Sequence, residues 1–276
     1  MFWLLFIQFC SRFSVAQQYS RTFEVTPPPR VRDVYMWPYS NTSIWNLPIG
    51  NGATYMPSGI AVTANTVVYA DPSMIFLNVS EPVTNIYYNS AGWTGASRCD
   101  PTPPTTLVIS TPFPSKFILT DTPQGNYPAI FLQKDKVTLR QGQPLARCDL
   151  NRVPTIGEVV DYTTSNGDNP SIYGPGFYGA HGGSGLSAFG GVLRFGELMP
   201  DANGVVHPVR HALQINLQAS KYYYNTPSMT YANCFLWPAI KCDGSVFKTM
   251  YGGTNKYVSP GSLLAIDPSI DINKNE

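Results

Sequence analysis

Apolar positions in this chain recur at the short period of a β-strand and seldom at the 3.6-residue period of a helix. Runs rich in β-branched and aromatic residues stand at 60–69 (IAVTANTVVY), 73–79 (SMIFLNV), 84–88 (TNIYY), 105–110 (TTLVIS), 116–120 (KFILT) and 129–139 (AIFLQKDKVTL). Others follow at 157–162 (GEVVDY), 192–198 (VLRFGEL) and 211–219 (HALQINLQA). Turn formers separate them: Ser-Asn-Gly-Asp-Asn-Pro at 165–170, Pro-Asp-Ala-Asn-Gly at 200–204 and Cys-Asp-Gly at 242–244. Many short strands with this punctuation predict an all-β fold with little helix: a single-domain antiparallel β-sandwich, jelly-roll or concanavalin-like. The strand–helix alternation of a parallel α/β sheet is missing.

The clearest strand is 211–219. Its alternation puts Leu213, Ile215 and Leu217 on a core face and Gln214, Asn216 and Gln218 on the other. A row of amides offers paired donors and acceptors that match sugar hydroxyls, although a solvated sheet face has the same pattern. One stretch departs from it. In GLSAFGGVL (185–193), Leu186, Phe189 and Leu193 have helical spacing, but Gly190-Gly191 weakens a helix, so a short buried helical turn is expected.

The first residues bear on compartment. Phe2 to Phe9 is apolar apart from Gln8, too short to span a bilayer, and Ser14-Val15-Ala16 supplies small residues before Gln17. Residues 1–16 therefore read as a secretory signal, 17–32 as an extended lead-in with its prolines in VTPPPRVR, and 33–276 as the β-domain. Removing Cys10 with the signal leaves four cysteines: Cys99, Cys148, Cys234 and Cys242. An even count in an oxidising compartment predicts two disulfides, with three pairings open. A thiolate zinc site would want a C-x-x-C pair, and none exists. Asn41-Thr42-Ser43 and Asn78-Val79-Ser80 are glycosylation sequons, which agree with export. The expected location is extracellular.

Composition narrows the partners. Charged residues make up 13% and the net charge is +1, so no basic stripe favours nucleic acid or an anionic membrane. Seventeen Tyr, 14 Phe and 5 Trp beside 25 Pro and 23 Gly suit an extracellular β-protein meeting a weakly charged ligand.

The candidate chemistry gathers in YGAHGGSGLSAFGG (178–191). His-Gly-Gly suggests the oxyanion loop of lipases, but Ser184 lies in GGSGL, not in a G-x-S-x-G elbow. GPGFYG (174–179) matches the dinucleotide glycine pattern without a strand before it or a helix after it. His207 and His211 are four apart, yet Pro208 opposes a helix and the Glu of H-E-x-x-H is missing, so no metal is expected. On a strand His211 would share the side of Leu213, as a hydrogen-bonded core histidine. His181, in its glycine loop, is the candidate general base. Arg194 and Glu197 are the charges most embedded in apolar sequence; they would orient a substrate or form a structural ion pair. Paired carboxylates at glycosidase spacing are absent: Glu158 and Asp161 would point to opposite faces. A polysaccharide lyase needs less, namely a base and groups that neutralise a uronate. Trp237 would stack on a pyranose.

From His181 onward, AHGGSGLSAFGGVLRFGEL, HALQIN, CFLWPAIKCDG and YGGTNKYVSPGSLLAI together resemble a group of uncharacterised secreted all-β proteins, often found alongside carbohydrate-active modules. SNTSIWNLPIG (40–50) matches more loosely. That group has no established activity, so the resemblance implies no catalytic roles. Its sequences run on past the equivalent of AIDPSIDIN, which implies that closing strands are missing here.

The expectation is a secreted protein that binds or processes extracellular polysaccharide without a cofactor. His181 would be the base, Arg194 and Glu197 would orient substrate, and Gln214, Asn216 and Trp237 would contact sugar. The alternative is a non-catalytic coat or matrix glycoprotein whose glycine loop only packs strands.

Overall fold

The computed structural model describes residues 33–60, 68–69, 71–99, 104–120, 125–160, 170–266 and 269. Residues 1–32, read from the sequence as a secretory signal and a Pro-rich lead-in, lie outside the described residues. The described chain is mostly strand and coil, with very little helix. Its strands are β1 (Val68–Tyr69), β2 (Met74–Phe76), β3 (Val83–Tyr88), β4 (Leu107–Pro112), β5 (Ala129–Leu132), β6 (Leu139–Ala146), β7 (Thr155–Val160) and β8 (Asn216–Leu217). Two single-turn helices follow, α1 (Ala219–Tyr222) and α2 (Phe247–Met250), the second entered through a 3₁₀ turn at Gly244–Val246.

Six strands form one sheet in the order β2-β5-β6-β7-β3-β4. The sheet is mixed, which corrects the antiparallel expectation: β2–β5 and β3–β7 are parallel, and the other pairs are antiparallel. Each parallel pair joins strands far apart in sequence, as parallel pairing requires. Run periodicity carries no information about which distant strand becomes a neighbour.

The expected run at 129–139 divides into two strands at Asp135. Its carboxylate accepts from the Val137 and Thr138 amides (2.9 and 2.8 Å) and from the Thr138 hydroxyl (2.6 Å), turning the chain into a hairpin. β5 is apolar throughout because both faces are covered. Ala129 and Phe131 enter one core with Ile86, Ile109, Phe113, Leu145 and Ile156; Ile130 and Leu132 enter another with Tyr39, Trp45 and Phe189.

What covers the second face is coil. The 192–198 run forms turns, and only Asn216–Leu217 of the 211–219 run pairs as a strand. Further along that run, Ala212 N donates to Trp45 O (2.7 Å) and Gln214 N to Gly191 O (2.9 Å), so its backbone is satisfied by loops instead of a ladder. The expected helical turn is a buried turn over Ala188–Gly191. Its glycines are there for contact: a Cβ on Gly190 would enter the Trp45 ring, whose Nε1 donates to Gly176 O (2.6 Å). Gln141 of β6 is buried beneath this segment. Its Oε1 accepts from Ala188 N (2.8 Å) and Ala180 N (3.4 Å), and its Nε2 donates to Ser187 Oγ (3.2 Å).

Cys99 bonds Cys148, and Cys234 bonds Cys242. On loop entropy alone such closures contribute about 4 and about 2.6 kcal/mol. Both sequon asparagines, Asn41 and Asn78, lie on exposed turns.

Replacing Gln141 by Leu leaves two buried N–H groups unpaired and should cost about 2–4 kcal/mol. Gln218→Leu, at an exposed position, should change stability by less than about 0.5 kcal/mol. Urea denaturation of both variants measures the difference, and equal midpoints would contradict the role given to Gln141.

Candidate functional site

His181 opens a tight turn. Its carbonyl accepts from Ser184 N (3.2 Å) and Gly185 N (2.6 Å), while its own N–H donates to Leu186 O (3.0 Å). Gly185 has φ +71°, a conformation that favours glycine. The two glycines after His181 fit against polar side chains. A Cβ on Gly182 would collide with the Gln143 amide, and one on Gly183 would lie 2.5 Å from Asp243 Oδ1. Gln141 and Gln143, two apart on β6, share a face, so this strand presents two amides to the loop.

The imidazole is buried, but its partner is an acid. His181 Nδ1 stands 3.6 Å from Asp71 Oδ2, an ion-pair separation slightly beyond hydrogen bonding. Asp71 follows β1, whose pairing with β8 sets Tyr69 opposite Asn216 and brings the Asn216 amide to Asp71 (Nδ2 to Oδ2, 2.9 Å). Asn126 Nδ2 donates to both Asp71 oxygens (3.2 and 3.1 Å). Burial alone would raise the Asp71 carboxyl, but His181 and the two amides outweigh it and hold the group below the ordinary carboxylate value. Nε2 of His181 takes no protein partner among the described residues, and it is not among the buried atoms left without one. Nδ1 is engaged, and Nε2 is the nitrogen left for a ligand.

A second acid pair adjoins the loop. Tyr251 Oη donates to Asp243 Oδ2 (2.5 Å), and Asp243 follows directly on the Cys234–Cys242 disulfide. Burial, and then the Asp243 hydrogen bond and charge, push the Tyr251 phenol far up. Tyr223 packs edge-on to Tyr251 with ring centroids 5.1 Å apart. Its hydroxyl is raised by burial, against a bond from Leu217 N, and by the charges of both Asp243 and Asp71. A third acid, Glu158, accepts from Gln143 Nε2 (3.1 Å). Among the described residues no three His, Cys, Asp or Glu side chains are grouped to hold a metal ion, and no helix is long and apolar enough to cross a membrane.

Arg194 and Glu197 pair with a different histidine. Glu197 Oε1 meets His211 Nε2 at 2.6 Å, and Arg194 N donates to Glu197 Oε2 (3.0 Å). The guanidinium donates to Val192 O (3.0 Å) and Phe189 O, lies 3.4 Å from His211 Nε2 and stacks over the Phe189 ring at 4.6 Å. The His211 and Glu197 side chains are 1% and 11% exposed, and His211 Nδ1 bonds Ala212 O (2.9 Å), so both ring nitrogens are engaged, while Arg194 Nε is buried without a partner. Burial lowers Arg194 to about 10 against the pull of Glu197; Glu197 is raised by burial but held down overall by His211 and the Arg194 amide.

Of the amides expected to face solvent together, Asn216 belongs to the Asp71 group, Gln214 is half-buried with an unpartnered buried Oε1, and Gln218 is exposed. Trp237 is 74% exposed. Asp71, Asn126, Tyr223, Asp243 and Tyr251 were not singled out from the sequence. Asp243 was visible only as part of a turn, and Asp71 had no signal beyond following an apolar run.

Comparison with protein-family models, with curated proteins and with solved structures finds no match to this chain.

The lowered Asp71 value has a definite sign. The stability it contributes is fully present above its unfolded value near 4 and disappears as pH falls through the lower folded value. Asp71→Asn should therefore flatten the acid side of the stability profile, as read by tryptophan fluorescence at fixed urea between about pH 5 and 2. Arg194→Ala removes the guanidinium that bonds Val192 O and Phe189 O and stacks on the Phe189 ring, and should cost about 1–3 kcal/mol in the same unfolding assay.

Proposed function

We propose that this chain is a secreted protein that binds and processes extracellular polysaccharide at the Asp71–His181 site. One observation carries the reading: a buried imidazole has a carboxylate 3.6 Å from Nδ1 and keeps Nε2 unengaged. A proton-transfer histidine uses such a neighbour, because a nearby acid favours the imidazolium that forms and, on closing to hydrogen-bond distance, sets the tautomer. His181 acts as the base or acid. Asp71, held by Asn126 and Asn216, orients it. Asp243 and Tyr251 form the second proton-handling pair. Arg194 and Glu197 enter as the support that holds the 189–197 segment, and Trp237 as an exposed sugar contact.

Export is supported by the apolar leader, the two disulfides and the exposed Asn41 and Asn78, which the same proposal takes as glycan sites. The resemblance to secreted proteins found beside carbohydrate-active modules agrees with it. The fold enters as a β-sandwich in the broad sense, the mixed sheet forming one layer and the coil-rich second half the other.

A second reading, a non-catalytic matrix glycoprotein, is favoured by the close packing of the loop glycines, which are occupied by Gln143 and Asp243 instead of lining open space. A panel of neutral and uronate polysaccharides separates the two. Reducing-end release reports hydrolysis, ultraviolet absorbance reports elimination, and retardation in affinity gels reports binding. His181→Ala should lower turnover at least about 100-fold while its circular dichroism shows the fold retained. Neither turnover nor retardation across the panel would leave the matrix reading.

A further inference from the structure

We infer that Trp93 is the floor of a subsite that takes a neutral pyranose unit beside the Asp71–His181 pair. The inference rests on the polysaccharide reading above and names its ligand more closely. Trp93 lies on the loop after β3 and is 47% exposed, yet the loop that carries it is pinned from several sides. Asn89 Nδ2 donates to Arg98 O (2.9 Å) and to Thr155 Oγ1 (2.8 Å), and its Oδ1 accepts from Ala91 N (3.0 Å). Arg98 Nε donates to Gly92 O (2.8 Å), and its Nη1 reaches Gly125 O (2.6 Å), next to Asn126. The Cys99–Cys148 disulfide closes the end of the same loop.

The indole is thereby tied into the polar site. Trp93 Nε1 donates to Asn126 Oδ1 (3.1 Å), Asn126 Nδ2 donates to both Asp71 oxygens, and Asp71 faces His181. A relay of three contacts leads from a half-exposed ring to the imidazole. Asn126 uses its amide nitrogen and one lone pair of its oxygen in this relay, so its conformation and that of the indole are set together. Aromatic rings supply broad apolar area at low entropic cost, and the C–H face of a pyranose is a flat apolar surface of matching size. The amides and carboxylates beyond the ring suit the hydroxyl edge of the same sugar.

The charges select against a uronate. The acids placed around the loop are Asp71, Asp243 and Glu158, while the Arg98 guanidinium under the Trp93 loop is buried and committed to Gly92 O and Gly125 O. A second carboxylate brought in by the substrate would meet like charge. A neutral sugar carries no such penalty. A neutral sugar also lacks the carboxylate that an elimination requires.

Intrinsic fluorescence of the full chain, titrated with cellohexaose, xylohexaose, chitohexaose and hexagalacturonate, tests this. At least one neutral hexamer should shift or quench the emission, with hexagalacturonate binding at least about tenfold more weakly. Trp93→Ala should remove most of the change and weaken binding about tenfold or more, Trp93→Phe should retain most of the affinity, and both should melt as the parent does. Preference for hexagalacturonate, unaltered binding by Trp93→Ala, or loss of the signal in Trp237→Ala instead would overturn the subsite and leave the polysaccharide reading standing. No response to any of the four, together with no retardation on the wider panel, would end both.

Discussion

The buried amide of Gln141 is the contact on which the second half of the molecule depends. The segment from Tyr178 to Gly191 lies over a sheet face, and one bridge between Tyr178 and Leu186 with its turn satisfies only part of its N–H groups. An unpaired buried N–H costs about as much as several well-packed methylenes contribute. Gln141 supplies one acceptor to two such groups and a donor to Ser187, while Tyr39 Oη meets the same Ser187 hydroxyl at 2.6 Å. Once that segment is seated, the rest is placed by contact. Gly190 lies on the Trp45 ring, which leaves no room for a Cβ, and Gly182 and Gly183 lie on the ends of the Gln143 and Asp243 side chains, which a Cβ would displace. The glycines therefore serve packing and the site at once, because bringing backbone close to polar side chains is what leaves His181 beside Asp71.

Two of the chain's histidines share one chemistry and have opposite surroundings. His211 has both ring nitrogens engaged and sits buried beside Glu197 and Arg194, which is what a structural histidine looks like. His181 is nearly as buried, but has one nitrogen on a carboxylate and the other unspent. The difference lies in the number of partners and not in burial. Each disulfide anchors chain near the His181 group: Cys99–Cys148 closes the segment that carries Asn126, and Cys234–Cys242 closes the turn directly before Asp243. Covalent closure limits the freedom of loops that have no secondary structure to hold them.

Much of the fold was legible along the chain. The runs at 73–79, 84–88, 105–110 and 157–162 overlap β2, β3, β4 and β7, because a pleated backbone imposes its own spacing on apolar residues. The runs at 192–198 and 211–219 misled for a physical reason. Alternation reports only which side chains are apolar, and here the coil over the sheet buries apolar residues without forming a ladder. In the site, His181 and Asn216 were legible, one from an unusual loop and the other from an amide row. Asp71 and Asn126 were not, since single polar residues in turns look like any others. Arg194 and Glu197 stood out by their apolar setting, which marks a buried ion pair as readily as a binding group.

The sequence by itself determined the β class, the number of cysteines able to pair, the low charge and the glycine loop that begins at His181. Each of these is a property of local spacing or of composition, and both can be read in one dimension. Only the tertiary structure decided that β2 and β3 would find parallel partners more than fifty residues downstream, that His181 would meet Asp71 while His211 met Glu197, and that Trp93 would be tied through Asn126 to the same acid. Those pairings join residues distant along the chain. Which of many chemically equivalent partners is chosen depends on how sheet, coil and disulfides close on one another in space.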